Sequence, residues 1–549
     1  MHLVVLIVLA LAGAALYIPF LGNPFVFDDG NLFFSERLTT AAVEPWVLIT
    51  RSLPYFTLGW TQTQLGTMEA HRLISLALHV LVGWQLYRLL RQMLLIDYQQ
   101  ATPDVLMLRQ ASVVAALIAL IFVVHPVAVY GAGYLIQRTT VMAALFAIVC
   151  VRYLLDALNN RSPVGAIGAA LMSSLSILCK EHSVTVPFAA ALLVAFLCRV
   201  DRQALRILAV FIVANLPAVA LVFSLGLGFV GQPYEPGLSN LEGEIHGLPE
   251  FSDRWERWLF SVSNQAQLYY QYWLQWLAPS AGRMSADLRV DFLQPWTWVV
   301  AGKHIALFLV VPVASGIFAL VTGRGRLLAG AFMFTGALFA VEFSLIRFQE
   351  PYVLYRSYIW AIGYAAAVAV LIRDLPLKWL IPGFLFVFVV LFSQAQNRLE
   401  SFSSRSALWE DAAAKLTKPE IAGASRIFFN RGNERFQRGD FEGSLADIGT
   451  AIALNPASSA YRIARAQTLT RIGRPADAIA DLDAAERIPG HEAPRLWFER
   501  FRALYALHST EAEAALQKAA LLGSFQARYF IEKRRSRNGE TEVAFEGIR

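Results

Sequence analysis

The chain has 549 residues, of which 56% are hydrophobic and 16% charged, with a mean hydropathy of +0.48. A soluble domain of this size would carry about 25% charged residues, so the composition excludes an ordinary soluble protein. The net charge of +6 sits mostly on arginines beside apolar runs and argues against a nucleic-acid partner, while Cys150, Cys179 and Cys198 lack the spacing of a zinc site or a disulfide framework.

Apolar runs occur near 3–20, 71–93, 112–134, 139–158, 163–179, 183–199, 206–229, 299–320, 327–346, 353–372 and 379–396. Each is close to the roughly 20 residues that a helix needs to cross a hydrocarbon core. The pattern predicts eleven spans. The first run lacks a Lys/Arg n-region and is read as a retained helix rather than a cleaved signal peptide. Arginine placement tests the count, because short cytoplasmic loops are enriched in Lys and Arg. With the N-terminus inside, the cytoplasmic loops carry Arg88, Arg91 and Arg109, then Arg161, then Arg199, Arg202 and Arg206, then Arg324 and Arg326, then Arg373 and Lys378. The outer face receives 21–70, 135–138, 180–182, 230–298, 347–352 and the tail. "NQAQLYYQYWLQWLAP" (264–279) carries a polar residue every few positions and is expected to lie in the interface instead of spanning.

After residue 397 the apolar runs stop and a 34-residue self-similarity appears. Gly439 maps to Gly473, Ala446 to Ala480, Asp447 to Asp481 and Ala451 to Ala485. The unit at 428–456 has the small residues and closing proline of a tetratricopeptide repeat, a second covers about 459–489, and a degenerate third contains Trp497 and Tyr505. The expected fold is all-α. A polytopic membrane bundle over 1–397 includes a first outer loop at 21–70 and an outer loop with interfacial helix at 230–298. A linker over 398–420, an α-solenoid of repeats over 421–534 and a frayed tail over 535–549 follow.

The polar residues gather on the predicted outer face. Asp28 and Asp29 follow the first span in "NPFVFDDGNLFF", and Arg51 lies in the loop after it. Gln137 and Arg138 stand between spans three and four, and Lys180, Glu181 and His182 between spans five and six. Arg347, Glu350, Tyr355 and Arg356 cluster before span ten. An ionisable residue at membrane depth, such as Arg356 in "PYVLYRSYIW", normally faces a cavity or a partner. His79 and His125 read as packed, hydrogen-bonded helix residues. A basic cluster at a bilayer surface can hold a lipid phosphate by charge-assisted hydrogen bonds, and a neighbouring carboxylate can take a proton from an attacking hydroxyl. That pairing suits glycosyl transfer from a polyprenyl-phosphate sugar. A lipid transporter or flippase, and a non-enzymatic anchor for a repeat domain, are the readings from other classes.

"FVFDD" (25–29), "RSLPYFTLGWTQTQLG" (51–66), "HRLISLALHVLVGWQLYRLL" (71–90), "LIFVVHPVAVYGAGYLIQRTTVMAALF" (120–146), "LCKEHSVTVP" (178–187), "YRSYIW" (355–360) and "LWEDAAAK" (408–415) follow one another in order. Together they resemble the GT-C class of integral-membrane glycosyltransferases. The likeness is to the transmembrane, tetratricopeptide-containing O-mannosyltransferases and their bacterial relatives. The resemblance implies an inverting enzyme in a bacterial inner membrane, with Asp28 or Asp29 as the catalytic base, Asp28 preferred. It implies lipid-phosphate contacts from Arg138, Lys180, Arg356 and His182, with Arg51, Gln137, Glu181, Glu350 and Tyr355 in support. A divalent cation, Mg or Mn, would fall to Asp28 and Asp29. The repeats would face the periplasm and hold an exported protein acceptor, such as a pilin, for modification at Ser or Thr. A glycan or lipid acceptor, or transfer of a whole oligosaccharide, is the nearer alternative. The 230–258 loop is expected to close over substrate.

Overall fold

A computed structural model of the chain describes residues 2–43, 50–98, 105–198, 200–225, 230–233, 244–245 and 250–537. Residues 234–243 and 246–249 of the 230–258 loop, and 538–549 of the predicted frayed tail, lie outside the described residues. Among those residues the fold is helical throughout, with two isolated β-bridges and no strand. The chain divides into two compact units, residues 1–236, 247–288 and 292–411 in the first, and 237–246, 289–291 and 412–549 in the second.

In the first unit the helices are α1 (His2–Tyr17), α2 (Asp29–Phe33), α3 (Glu36–Val43), α4 (Ser52–Gln64), α5 (Met68–Asp97), α6 (Val105–Val123), α7 (Pro126–Ala132), α8 (Arg138–Asn159) and α9 (Pro163–Cys179). They continue with α10 (Val186–Leu197), α11 (Arg202–Leu225), α12 (Arg254–Leu277), α13 (Trp298–Thr322), α14 (Arg326–Phe339), α15 (Ala361–Ile372), α16 (Leu377–Glu400) and α17 (Arg405–Ala414). Eight are long and apolar enough to cross a membrane, namely α1, α5, α6, α8, α11, α13, α14 and α16. The other three predicted spans fall on the shorter apolar helices α9, α10 and α15. Near the centre, α8 packs against both α5 and α9, and α14 against α10, α13 and α15.

Several predicted spans form α-helices shorter than the apolar pattern suggested, and two show why. The 112–134 run breaks after Val123, because Pro126 has no N–H for the helical ladder. His125 caps the new helix α7, its Nδ1 accepting from Val127 N at 3.3 Å. The 353–372 run becomes a single 3₁₀ turn, Leu354–Tyr358, followed by α15. Arg356 therefore sits on that turn.

The 264–279 segment is part of α12, which is not among the membrane-length apolar helices. Several of its polar side chains bond to neighbouring backbone within the protein. Gln265 donates to Pro351 O at 2.8 Å, Asn264 Oδ1 accepts from Leu293 N at 2.8 Å, and Tyr272 OH accepts from Val353 N at 2.9 Å. Periodic polarity that reads as a wet helix face is here an internal hydrogen-bonding face.

The second unit holds α18 (Ala424–Gln437), α19 (Phe441–Leu454), α20 (Ser459–Arg471), α21 (Pro475–Glu486), α22 (Ala493–Ala506), α23 (Ala512–Leu521) and α24 (Phe525–Arg537). Successive helices pack on one another, with α18 on α19, α20 on α21 and α22 on α23. The 34-residue period is physical. Arg431 grips Asp447 at 2.8 and 2.6 Å, and Arg465 grips Asp481 at 2.7 and 2.6 Å, through the same guanidinium nitrogens. Gly439 and Gly473 take φ of 82° and 83°, a left-handed turn that only glycine adopts without cost. Within the same unit, buried Glu244 accepts from Gly423 N at 3.0 Å, Ser425 Oγ at 2.6 Å and Asn455 Nδ2 at 2.8 Å. That strip of chain was expected to belong to the membrane part.

The expected 398–420 linker contains the boundary at residue 411, yet it is largely helical. Buried Arg398 fixes it, holding both Asp411 oxygens at 2.9 Å and Met284 O at 2.6 Å.

Candidate active site

Asp28 and Asp29 are adjacent in sequence but differ in environment. Asp28 is exposed and Asp29 fully buried. Asp29 accepts from Ile136 N at 2.9 Å through one oxygen and from Val26 N at 3.3 Å through the other. Burial pushes its carboxyl up to about 7, against the Ile136 and Val26 amides and the charge of Arg72, which favour the anion. The same turn is lashed by Arg72, which donates to Asn23 O at 2.8 Å, Pro24 O at 2.9 Å and Gly133 O at 2.8 Å. The Asp28 N–H donates to Tyr134 OH at 3.0 Å. Phe27, wedged between Tyr134 and Trp409 with ring centroids at 5.8 and 5.6 Å, is held at φ 48°. A phenylalanine in the left-handed region costs energy and persists only where its surroundings determine it. The Asp28 carboxylate is thus presented outward on a turn fixed from three sides.

Tyr134 leads on to the cations. Its ring meets Tyr355 at 6.1 Å, and the Lys180 ammonium stands 5.4 Å from the Tyr355 ring centroid. Lys180 is buried between α9 and α10, and its Nζ donates to Gln137 Oε1 at 3.0 Å. Burial pushes the ammonium down to about 7; Arg51 and Arg356 add to the effect, and Glu181 and Glu342 oppose it.

Behind Lys180 lies a network of alternating charge. Arg51 holds Glu181 through both carboxylate oxygens, one at 2.9 Å, and Glu181 lies 3.6 Å from His182. His182 Nε2 meets Arg347 at 3.2 Å, and Arg347 pairs with Glu342 at 2.9 Å. Glu342 also takes Arg356 at 3.3 Å, and Arg356 reaches Glu350 at 3.8 Å. Lys180, His182, Glu342, Arg356 and Trp360 line a cavity of about 20 Å³, room for about one water molecule.

The structure brings together Lys180, Glu181, His182, Arg51, Gln137, Glu350, Tyr355 and Arg356, and links them through Tyr134 to Asp28. It sets Arg138 apart from its expected phosphate contact. The guanidinium is fully buried and committed to His71 O at 2.8 Å, Ser75 Oγ at 3.2 Å and Thr61 Oγ1 at 3.3 Å, bracing α4 and α5. His79, bonded to Tyr358 OH at 2.6 Å and Val123 O at 3.0 Å, and His125 are packed residues, as read from the sequence.

Sequence reasoning missed Glu342, Tyr134 and Arg72. Glu342 stood inside an apolar run predicted to span, where the argument applied to Arg356 would have flagged it. Among the described residues, no group of three or more His, Cys, Asp and Glu side chains is arranged to hold a metal. Both Asp29 oxygens accept a backbone amide. Compared with known proteins, the chain matches no family model and shows no significant similarity to a curated protein.

Proposed function

We propose that this chain is a membrane glycosyltransferase of the GT-C class that moves a sugar from a polyprenyl-phosphate donor to a hydroxyl group of an exported protein. One observation carries the reading: an outward carboxylate on a braced turn, joined through Tyr134 and Tyr355 to a buried lysine and an arginine network. Asp28 takes the proton from the acceptor hydroxyl as that oxygen attacks the anomeric carbon. The bond from the anomeric carbon to the phosphate oxygen breaks with inversion, and the lipid phosphate departs with the electron pair. Lys180 and the adjoining guanidinium groups stabilise the leaving phosphate. A phosphate is larger than the 20 Å³ cavity, so it engages the cluster from the rim, where Tyr355 is half-buried. Asp29 is a positioning residue that holds the turn, and no step uses a metal.

In this reading all eleven predicted runs span a bacterial inner membrane, and the site and the second unit face the periplasm. The paired helices of the second unit, with their period of 34, act as tetratricopeptide repeats that hold the acceptor polypeptide. Intact-mass spectrometry of exported proteins, wild type against Asp28→Asn, tests the proposal. Loss of a hexose- or pentose-sized mass from an exported protein supports it; unchanged masses overturn it.

A further inference from the structure

At the other end of the bundle lies a second polar cavity, of about 630 Å³. α8 carries its chain from Arg138, next to the candidate active site, to Asn159 on this cavity's wall. Its 22 residues span about 33 Å at roughly 1.5 Å per residue, a bilayer core's thickness. Arg88 and Arg91 from α5, Arg152 and Asp156 from α8, and His2 from α1 line it. Arg88, Arg91 and Arg152 all lie within Coulombic reach of the His2 ring.

Among the described residues none of the three pairs with a carboxylate. Arg91 donates to Ser112 Oγ at 2.9 Å, Arg152 to Gln85 Oε1 at 2.6 Å, and Arg88 stacks on Trp84 at 4.9 Å. The cavity's carboxylate, Asp156, accepts from Gln92 at 2.7 Å instead. Three guanidinium groups against one carboxylate leave an excess of two positive charges. The Arg152 Nε–H is buried without an acceptor. Converging like charges cost free energy, and a bound phosphate relieves that cost. Basic pockets between membrane helices recognise anionic headgroups in this way.

We propose that this cavity binds a phosphate group, carried either by an anionic phospholipid of the adjacent leaflet or by a free phosphate. The inference is independent of glycosyl transfer. The test is native mass spectrometry of the full-length protein from nanodiscs of phosphatidylethanolamine doped with cardiolipin, with thermal unfolding in detergent against inorganic phosphate in parallel. The variants are the Arg88→Gln/Arg91→Gln/Arg152→Gln triple, Asp156→Asn, and Arg109→Gln as an exposed control outside the cavity. A lipid site predicts cardiolipin adducts reduced about tenfold or more in the triple variant, unchanged in Arg109→Gln and increased in Asp156→Asn. A free-phosphate site predicts stabilisation by inorganic phosphate that the triple variant loses, with adducts unaffected. Asp156→Asn keeps the test valid if the triple variant fails to fold. The proposal is overturned if wild type shows neither cardiolipin enrichment nor phosphate stabilisation, or if the variants leave both unchanged.

Discussion

At the N-terminal end of α8, Arg51, Arg347 and Arg356 meet Glu181, Glu342 and Glu350 around a cavity of about 20 Å³. At the C-terminal end, Arg88, Arg91 and Arg152 share about 630 Å³ with Asp156 alone. The same residue type does different physical work in the two places. Where the guanidinium groups are paired and mostly buried, they fix neighbouring segments and set a field, because losing a partner would strand a charge in low dielectric. Where guanidinium groups converge unpaired on open volume, they hold charge ready for an anion from outside. The paired end therefore suits a preorganised reaction, and the unpaired end suits recognition.

The contrast breaks first at its carboxylates. Glu342→Gln removes the buried carboxylate that Arg347 and Arg356 share, and the expected cost is about 3–5 kcal/mol in chemical or thermal unfolding. Asp156→Asn at the other end, half in solvent, is expected to change stability by less than about 0.5 kcal/mol. Equal effects would erase the distinction drawn between the two ends.

A subtler effect concerns Lys180, whose folded pKa of about 7 lies below the 10.5 of a free lysine. Phosphate binding favours the ammonium, so affinity for a phosphate-bearing lipid should be flat below pH 7 and weaken by about tenfold per unit above it. Lys180→Arg, charged throughout, should remove that slope in a binding titration.

A second pH-dependent effect belongs to Asp29. Its folded pKa of about 7 exceeds the free value of 3.8, so between those values the folded state binds more protons than the unfolded state. Stability from this group is then present at low pH and lost as pH rises from about 4 to about 7. Asp29→Asn should abolish this dependence, so that its thermal midpoint gains on wild type as pH rises from 5 to 8.

Much of the helical bundle was legible, because a membrane-length apolar run has few alternatives to a helix. The breaks were less so. Pro126 ended α6 at Val123 inside a continuous apolar run, a local backbone constraint that hydropathy does not register. The repeat was visible through Asp447 and Asp481, yet their partners Arg431 and Arg465, also 34 apart, emerged with the helix pairing. In the site, the residue types on the predicted outer face did converge, but their roles were hidden. Neighbouring aspartates point to different surroundings, so sequence could not separate exposed Asp28 from tethered Asp29. Arg138 looked like Lys180 in sequence, and only packing shows its guanidinium spent on His71, Ser75 and Thr61.

The division of labour between Asp28 and Lys180 is the centre of the account, and one paired measurement reaches it. Binding of a polyprenyl-phosphate sugar to purified protein is compared with sugar occupancy on exported proteins, for wild type, Asp28→Asn and Lys180→Gln. Asp28→Asn should bind the lipid as wild type does while transfer falls by about 10²–10⁴-fold, and Lys180→Gln should lose both. Undiminished transfer in Asp28→Asn, or undiminished lipid binding in Lys180→Gln, would contradict it.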